Sequence, residues 1–235
     1  MKCLLLRLKS PMQSWGIQSR FYERDTCKEP TKSGIIGMIC AALGRKREND
    51  ISDLTKMKIG IRVEREGVLS RDFHAVGCGK FNDKDYGIVK SSGKSDSKNK
   101  GTIVSNRYYL SDAEFYVAIS LEEDLLNEIH EAIHDPFYQI FLGKKSFVPE
   151  MPMCYGIKEG KIEDVLRNIK FRQRKDEDVP ESIRYVFECG IDEGMKRLDD
   201  PISFSTRKYL PRYIKYEYFP ISNNEEEIIP CMFQD

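Results

Sequence analysis

The spacing of apolar residues changes several times along the first 135 positions, and each change marks another kind of secondary structure. Apolar residues run continuously or alternate, as in strands, in three segments: residues 2–8, 59–65 and 113–119. They recur at helical spacing in two segments, residues 35–43 and 125–133. This order of strands and helices predicts an α+β fold with a ferredoxin-like, RNA-recognition-like βαββαβ core.

The ends of the two predicted helices carry their own signals. Ser33 is expected to cap the first helix and Gly44 to end it. Gly34 and Gly37 weaken that helix as an isolated element, so we expect something to approach its N-terminus, where free N–H groups favour anions. Residues 120–123 (SLEE) predict a capping box at the start of the second helix.

The rest of the chain predicts a smaller, β-rich region. A short helix is expected near residues 162–169, with strands near 183–189 and 213–219. We therefore expect two units, a core over residues 1–150 and an appended β-rich region over residues 151–235.

Composition excludes several classes of protein. No apolar stretch approaches the roughly 18 residues of a membrane-spanning helix, and Arg7 interrupts the N-terminal apolar run, which no small-residue cleavage site follows. We expect a cytoplasmic protein with no membrane partner. The seven cysteines are scattered without a C-x-x-C pair, which favours reduced thiols over disulfides or a structural zinc site.

Charge is distributed unevenly although its formal sum is zero. Residues 1–110 contain 22 Lys and Arg against 12 Asp and Glu, and the remainder has the opposite excess. Within the basic half, residues 77–105 are rich in Gly, Ser and Lys, which predicts a flexible basic loop or an extended hairpin. The basic half is expected to face a polyanion.

Three short motifs indicate contacts with such a polyanion. In SRDFHAVG (residues 70–77), Arg71 and His74 lie beside the basic segment. In FLGKKSFVPEMP (141–152), a glycine and two lysines offer N–H groups and cations to a phosphate, at a spacing that excludes a Walker A loop. The basic and aromatic residues of 207–219 are interpreted as a half-buried strand rather than a base-stacking surface.

Two further motifs allow more than one interpretation. PMQSWG (11–16) places the single tryptophan, Trp15, in a turn, either as a buried plug or as part of a binding surface. His130-Glu131-Ala132-Ile133-His134 matches the zinc-protease pattern HExxH. Because no third ligand is signalled, these histidines are interpreted as surface or helix-end residues, and no metal or other cofactor is expected.

Several of these motifs, in their order and spacing, resemble one family closely. PMQSWG, TKSGIIGMICAALG, SRDFHAVG, TIVSNRYYLSDAEFYVAIS and FLGKKSFVPEMP are similar to the CasD-type subunits (CRISPR-associated family five) of the type I-E CRISPR surveillance complex, Cascade. The resemblance covers residues 1 to about 155 and, loosely, DDPISFSTRKYLPR in the last third. The Lys- and Ser-rich tip of the basic segment and the acidic residues Glu225 to Glu227 depart from the family pattern.

The resemblance implies a non-catalytic subunit that binds the 5′ handle of the guide RNA (crRNA) beside the backbone and large subunits, in antiviral defence. Through the complex it would lie near target DNA at the protospacer-adjacent motif. Residues 77–107 would form a protruding β-hairpin thumb. The implied RNA-binding residues are Gln13, Ser14, Trp15, Lys32, Ser33, Arg71, His74, Lys90, Arg107, Lys144, Lys145 and Ser146.

Two other functions stay open from the residues. A metal-independent endoribonuclease that processes precursor crRNA would use His74 as its general base. A protein scaffold would explain the acidic half of the chain and leave the basic half unexplained.

Overall fold

The computed structural model describes residues 1–17, 19, 22–77, 79–81, 84–86, 102–175, 177–221 and 230. The described elements, in chain order, are β1 (Lys2–Lys9), β2 (Met12–Gln13), β3 (Glu23–Arg24), α1 (Lys32–Ala42), α2 (Ser52–Thr55), β4 (Lys58–Arg65), β5 (Val68–Gly77), β6 (Gly79–Phe81), β7 (Lys84–Tyr86), β8 (Thr102–Ser111), β9 (Glu114–Ser120), α3 (Glu123–His134), β10 (Cys154–Glu159), α4 (Ile162–Arg167), β11 (Ser182–Cys189), β12 (Met195–Ser203) and β13 (Lys208–Pro220).

Seven antiparallel strands form the main sheet, in the order β10-β1-β9-β4-β11-β13-β12. The odd-numbered residues of 113–119 lie on one face, in a core shared with α1 and α3. Tyr116 and Ala118 lie on the other face, against α4. Because both faces are covered, β9 is buried along nearly its whole length.

The sequence-based fold class is confirmed at the level of a strand-rich, mixed α and β protein with few helices. The predicted strands and helices of residues 2–134 occur in the predicted order, as do α4, β11 and β13. The sequence analysis did not identify β10 or β12. Both join the main sheet, so the boundary expected near residue 150 does not separate two sheets.

Both predicted helix caps are wrong in detail. Thr31, not Ser33, caps α1, because its Oγ1 accepts a hydrogen bond of 3.2 Å from the Gly34 amide. Ser120 still belongs to β9, and α3 begins after Glu122 without a side-chain cap. The predicted helix stop at Gly44 fits its positive φ of 71°, which follows the last turn of α1.

A second, smaller sheet is built on β8. Strand β5 pairs with β8 over ten residues, from Val68 opposite Ser111 to Gly77 opposite Thr102. We call this ladder of residues 68–77 and 102–111 the β5–β8 arm. The short strands β2 and β3 pair with the other edge of β8.

Some predictions concern residues outside the described part of the chain. These are Cys78, residues 82–83 and 87–101 of the basic segment, with Lys90 among them, and the acidic residues 225–227. Among the described cysteines no disulfide forms, and burial raises the pKa of Cys40 to about 11. No helix in the described ranges is long and apolar enough to cross a membrane.

Candidate nucleic-acid interface

Trp15 is a buried plug, which was one of its two sequence-based interpretations. Its side chain is 3% exposed, and its indole Nε1 donates a 3.1 Å hydrogen bond to Oε1 of Gln13. The Gln13 amide in turn donates to the carbonyl oxygens of Leu8 and Ala113, at 3.1 and 2.8 Å. The hydrogen-bonded side chains of Gln13 and Trp15 therefore link the end of β1 to the start of β9, and neither side chain reaches the surface.

The indole also explains one glycine of α1. A Cβ added at Gly34 would lie 2.8 Å from Cε3 of Trp15, closer than any carbon contact allows. The group expected to approach the N-terminus of this helix is therefore the tryptophan ring of the same chain.

Two motifs that are far apart in sequence meet in one place. The Ser14 amide donates to the Leu142 carbonyl oxygen at 3.1 Å. At Gly143, where φ is 97°, an added Cβ would lie 2.1 Å from the carbonyl oxygen of Ser14. The PMQSWG turn thus supports the loop that carries Lys145 and Ser146, whose side chains are exposed.

Lys144 lies at the junction between this loop and the arm. Its Nζ is 5.4 Å from the ring centre of Tyr109 on β8 and 5.7 Å from that of Phe147. The two rings contact each other edge to face at 5.0 Å. Such cation–π contacts hold the ammonium group at the end of the arm while leaving its N–H donors available.

The arm extends from this junction; on its side next to Lys144, Tyr109 and Ser105 are buried and Arg107 is half-buried. Side chains alternate between the two faces of a strand, so Tyr109, Arg107 and Ser105 share a face of β8. Their partners across the β5 ladder include Asp72 and His74, which are joined by a hydrogen bond between Nε2 of His74 and Oδ2 of Asp72. We call His74, Arg107, Tyr109 and Lys144 the basic–aromatic face; its strand part spans about 13 Å along β8.

Two members of this face carry a buried polar atom that has no hydrogen-bond partner within the described ranges, namely Nε of Arg107 and the hydroxyl of Tyr109. The parallel neighbour of Arg107 on β3 is Arg24, which is exposed. Sequence reasoning missed Arg24, because a two-residue strand has no periodicity and is defined only by its pairing with β8.

Arg71 lies on the opposite face of the arm. Its ladder partner is Tyr108, and its side chain is exposed, as is that of Phe73. The alternation of a strand therefore separates Arg71 from His74, although the two are three residues apart in sequence.

Lys32 and Ser33 do not join this surface. Lys32 is 4% exposed, and its Nζ donates to the Thr55 carbonyl and pairs with Asp200 Oδ1, both at 3.0 Å. Its backbone amide donates at 2.9 Å to Oδ2 of Asp199. The anion expected at the N-terminus of α1 is thus the chain's own Asp199, which Arg212 also binds. Ser33 is half-buried and donates to Thr31.

Cations and aromatic rings placed along a β ladder, as in this arm and its neighbouring loop, are a feature of one class of nucleic-acid-binding proteins. A family model described as CRISPR-associated protein Cas5 matches residues 3–215, so the chain belongs to that family. The family resemblance drawn from the sequence motifs is thereby confirmed.

Individual relatives agree with this assignment. The chain is 32% identical over 162 residues to the Cascade subunit CasD of Escherichia coli K12, covering 65% of this chain and 70% of CasD. Its fold matches a chain of a CRISPR RNA-guided surveillance complex with a TM-score of 0.77, at 33% identity over 93% of this chain and 90% of that one. A crystal structure of a Cas protein matches with a TM-score of 0.71, at 35% identity over 96% and 98%.

Proposed function

We propose that this chain is a non-catalytic, crRNA-binding subunit of a type I-E Cascade complex, acting in the cytoplasm. Its similarity to CasD and to a chain of an RNA-guided surveillance complex supports this role. The unit from β1 to β10 would be its ferredoxin-like core. The sheet order β10-β1-β9-β4, with α1 and α3 packed on one face, supports that assignment.

The 5′ handle of the crRNA would lie along the basic–aromatic face, and the observation that carries this proposal is the continuity of that face. Lys144 touches the Tyr109 ring, and Arg107 follows two residues away on the same side of β8. Cations would contact phosphates while loop groups meet bases. The Tyr109 ring is 6% exposed and would position Lys144 rather than stack on a base. Backbone and large subunits would dock alongside, with target DNA near the protospacer-adjacent motif reached through the complex.

Burial and contacts support a smaller set of proposed RNA-binding residues. The candidates that remain available are Ser14, Arg71, His74, Arg107, Lys144, Lys145 and Ser146, joined by Arg24, with Lys90 as a sequence-based prediction. Gln13 and Trp15 would contribute without contacting RNA. They stabilise the PMQSWG turn, which supports the loop that carries Lys144 and Lys145. Lys32 and Ser33 would affect RNA binding only indirectly, because they belong to the first turn of α1.

The test is the affinity of the purified chain for a 5′-handle RNA, measured by fluorescence anisotropy. Lys144→Ala with Lys145→Ala should weaken binding by roughly a factor of ten, since two charge-assisted phosphate contacts supply at least 1.4 kcal/mol. The matched control is Lys46→Ala with Arg47→Ala, an exposed pair after α1 with the same loss of charge. Equal weakening by both pairs would mean that only net charge matters and would overturn the proposed site.

The endoribonuclease alternative is favoured by one observation, the hydrogen bond between His74 and Asp72 on the arm. A carboxylate that orients an imidazole is a common arrangement for a general base. Precursor crRNA incubated with the protein in EDTA would be cut at one site, and His74→Ala would abolish cutting, if this alternative holds. Under the proposed function the RNA stays intact with both proteins.

A further inference from the structure

We propose that His130, His134 and Cys154 form a zinc-binding site that joins the last turn of α3 to β10. One potential ligand atom from each residue lies within 4.8 Å of the other two. The sequence analysis had set the HExxH pattern aside because no third ligand was signalled. The fold supplies that ligand, because Cys154 comes from an edge strand of the main sheet, 20 residues beyond His134.

The two histidine side chains have the rotational freedom that metal binding needs. Ligands around a tetrahedral zinc ion lie about 3.3 to 3.6 Å apart, so the trio must close by roughly 1 Å. Cys154 is buried and its backbone pairs with Leu6 of β1, so the sheet holds the position of this residue. His134 is exposed and His130 half-buried, and their rings meet edge to face with centres 4.9 Å apart. Small rotations of the two imidazoles can therefore complete the site around the Cys154 thiolate.

The ligand types select the metal. Two imidazoles and one thiolate suit Zn²⁺ and are a poor match for Mg²⁺ or Ca²⁺, which take oxygen ligands. Nδ1 of His130 lies 3.4 Å from Oε1 of Glu131. If the ring coordinates through Nε2, this carboxylate is in the place of the orienting group that usually accompanies a zinc-bound histidine. The fourth position would be taken by water.

Zinc at this place would close a loop of the chain. His134 precedes and Cys154 follows residues 135–153, which contain Gly143, Lys144, Lys145 and Ser146. Joining the two ends reduces the freedom of that segment in the unfolded and partly open states. The metal site itself is independent of the proposed function, and only its consequence for an RNA-contacting loop rests on that function.

The first test is the metal content of untagged protein incubated with Zn²⁺ and then dialysed. Wild type should retain roughly one zinc ion per chain, and His134→Ala should retain none. Because His134 is exposed, this variant should fold normally and melt, in EDTA, at the wild-type temperature. His74→Ala is the matched histidine control and should bind zinc as wild type does. Absence of zinc in wild type, or equal retention by His134→Ala, would overturn the proposal.

The second test identifies the thiolate through Co²⁺, which replaces zinc in such sites. Cobalt bound to a thiolate gives a charge-transfer band in the near ultraviolet, expected in wild type and in Cys189→Ser and missing in Cys154→Ser. A band that survives in Cys154→Ser would place the metal elsewhere.

Hydrogen exchange of residues 135–153 should slow when zinc is added to wild type, and remain unchanged in His134→Ala. RNA binding is not part of either readout, so failure here leaves the proposed function untouched.

Discussion

At the scale of single residues, buried charges hold the C-terminal strands to the segment before α1. Glu29 is 1% exposed and accepts hydrogen bonds from Arg184, Arg197 and the Tyr216 hydroxyl. Burial raises the pKa of this carboxyl, but the two arginines outweigh burial and hold the pKa below its ordinary value of 4.5. Removing the charge of Glu29 leaves the guanidinium of Arg197 buried without a carboxylate partner within the described ranges, whereas Arg184 keeps its pair with Glu66.

Glu29→Gln should therefore lower the free energy of unfolding at neutral pH by about 3–5 kcal/mol. A depressed pKa stabilises the fold fully above pH 4.5 and loses that contribution as the pH falls through the folded-state value. The difference between wild type and Glu29→Gln in urea unfolding should thus shrink on acidification. A difference that is constant or grows in acid would contradict this account. Glu123→Gln, which alters an exposed pair with Lys2, should change little at either pH.

Trp15 gives a second prediction at this scale. Trp15→Phe removes the donor to Gln13 and leaves a buried oxygen unpaired and a space unfilled, which should lower the free energy of unfolding by about 2–4 kcal/mol. Because the indole is buried, the folded variant should bind handle RNA as wild type does. Tyr22→Phe, at an exposed position, serves as the stability control. Weakened RNA binding with unchanged stability would instead place the indole on the RNA.

At the scale of elements, α1 contains two glycines with opposite surroundings. Gly34 faces the Trp15 ring at a distance that leaves no room for a Cβ. A Cβ at Gly37 would meet only Cζ of Phe204, at an ordinary 3.8 Å. The same substitution in the same helix should therefore have opposite effects.

Gly37→Ala should raise the free energy of unfolding by about 0.5–1 kcal/mol, because alanine is the better helix former. Gly34→Ala gains the same propensity, but the added methyl group displaces the indole, and the net effect should be a loss of about 1–3 kcal/mol. Urea unfolding of the two variants measures both changes in the free energy of unfolding. Effects of equal sign would mean that the contact with Trp15 does not limit this position.

The elements that could be predicted from sequence are those whose own residues carry a period. Strands β1 and β9 and helices α1 and α3 belong to this group, because their apolar side chains face a common core. Strand β12 could not be predicted, since MKRLDDPIS is polar and contains Pro201, and it is held by its pairing with β13.

Buried polar residues were equally hidden from sequence analysis. Arg62 in β4 fits an exposed position of an alternating strand, yet it is fully buried. Its guanidinium donates to Glu64 at 2.9 Å and to carbonyl oxygens at the end of α4. The burial of Lys32 was not predicted for the same reason, because its partner Asp200 is distant in sequence. Patterns of one segment do not reveal partners supplied by another.

At the scale of the whole molecule, the uneven charge distribution is partly cancelled by folding. Arg7 and Arg65 of the basic half both pair with Glu114 at 2.6 Å, and Arg65 also binds Glu177 at 2.8 Å. Lys9 pairs with Glu150. The net excess of cations in residues 1–110 therefore overstates what a polyanion meets. Arg24, Arg71 and Lys145 are cations with no carboxylate partner within the described ranges.

The dependence of RNA affinity on salt measures how many cations remain available. With about five phosphate contacts, from Arg24, Arg71, Arg107, Lys144 and Lys145, log K should fall with log salt at a slope near −3.5. Arg24→Ala should reduce that slope by about 0.7, since it removes one contact with single-stranded RNA. Lys9→Ala also removes one positive charge. Because Glu150 already pairs with Lys9, the slope for this variant should equal that of wild type. If both variants changed the slope alike, long-range charge would govern binding. A salt-independent affinity would exclude phosphate contacts by these cations.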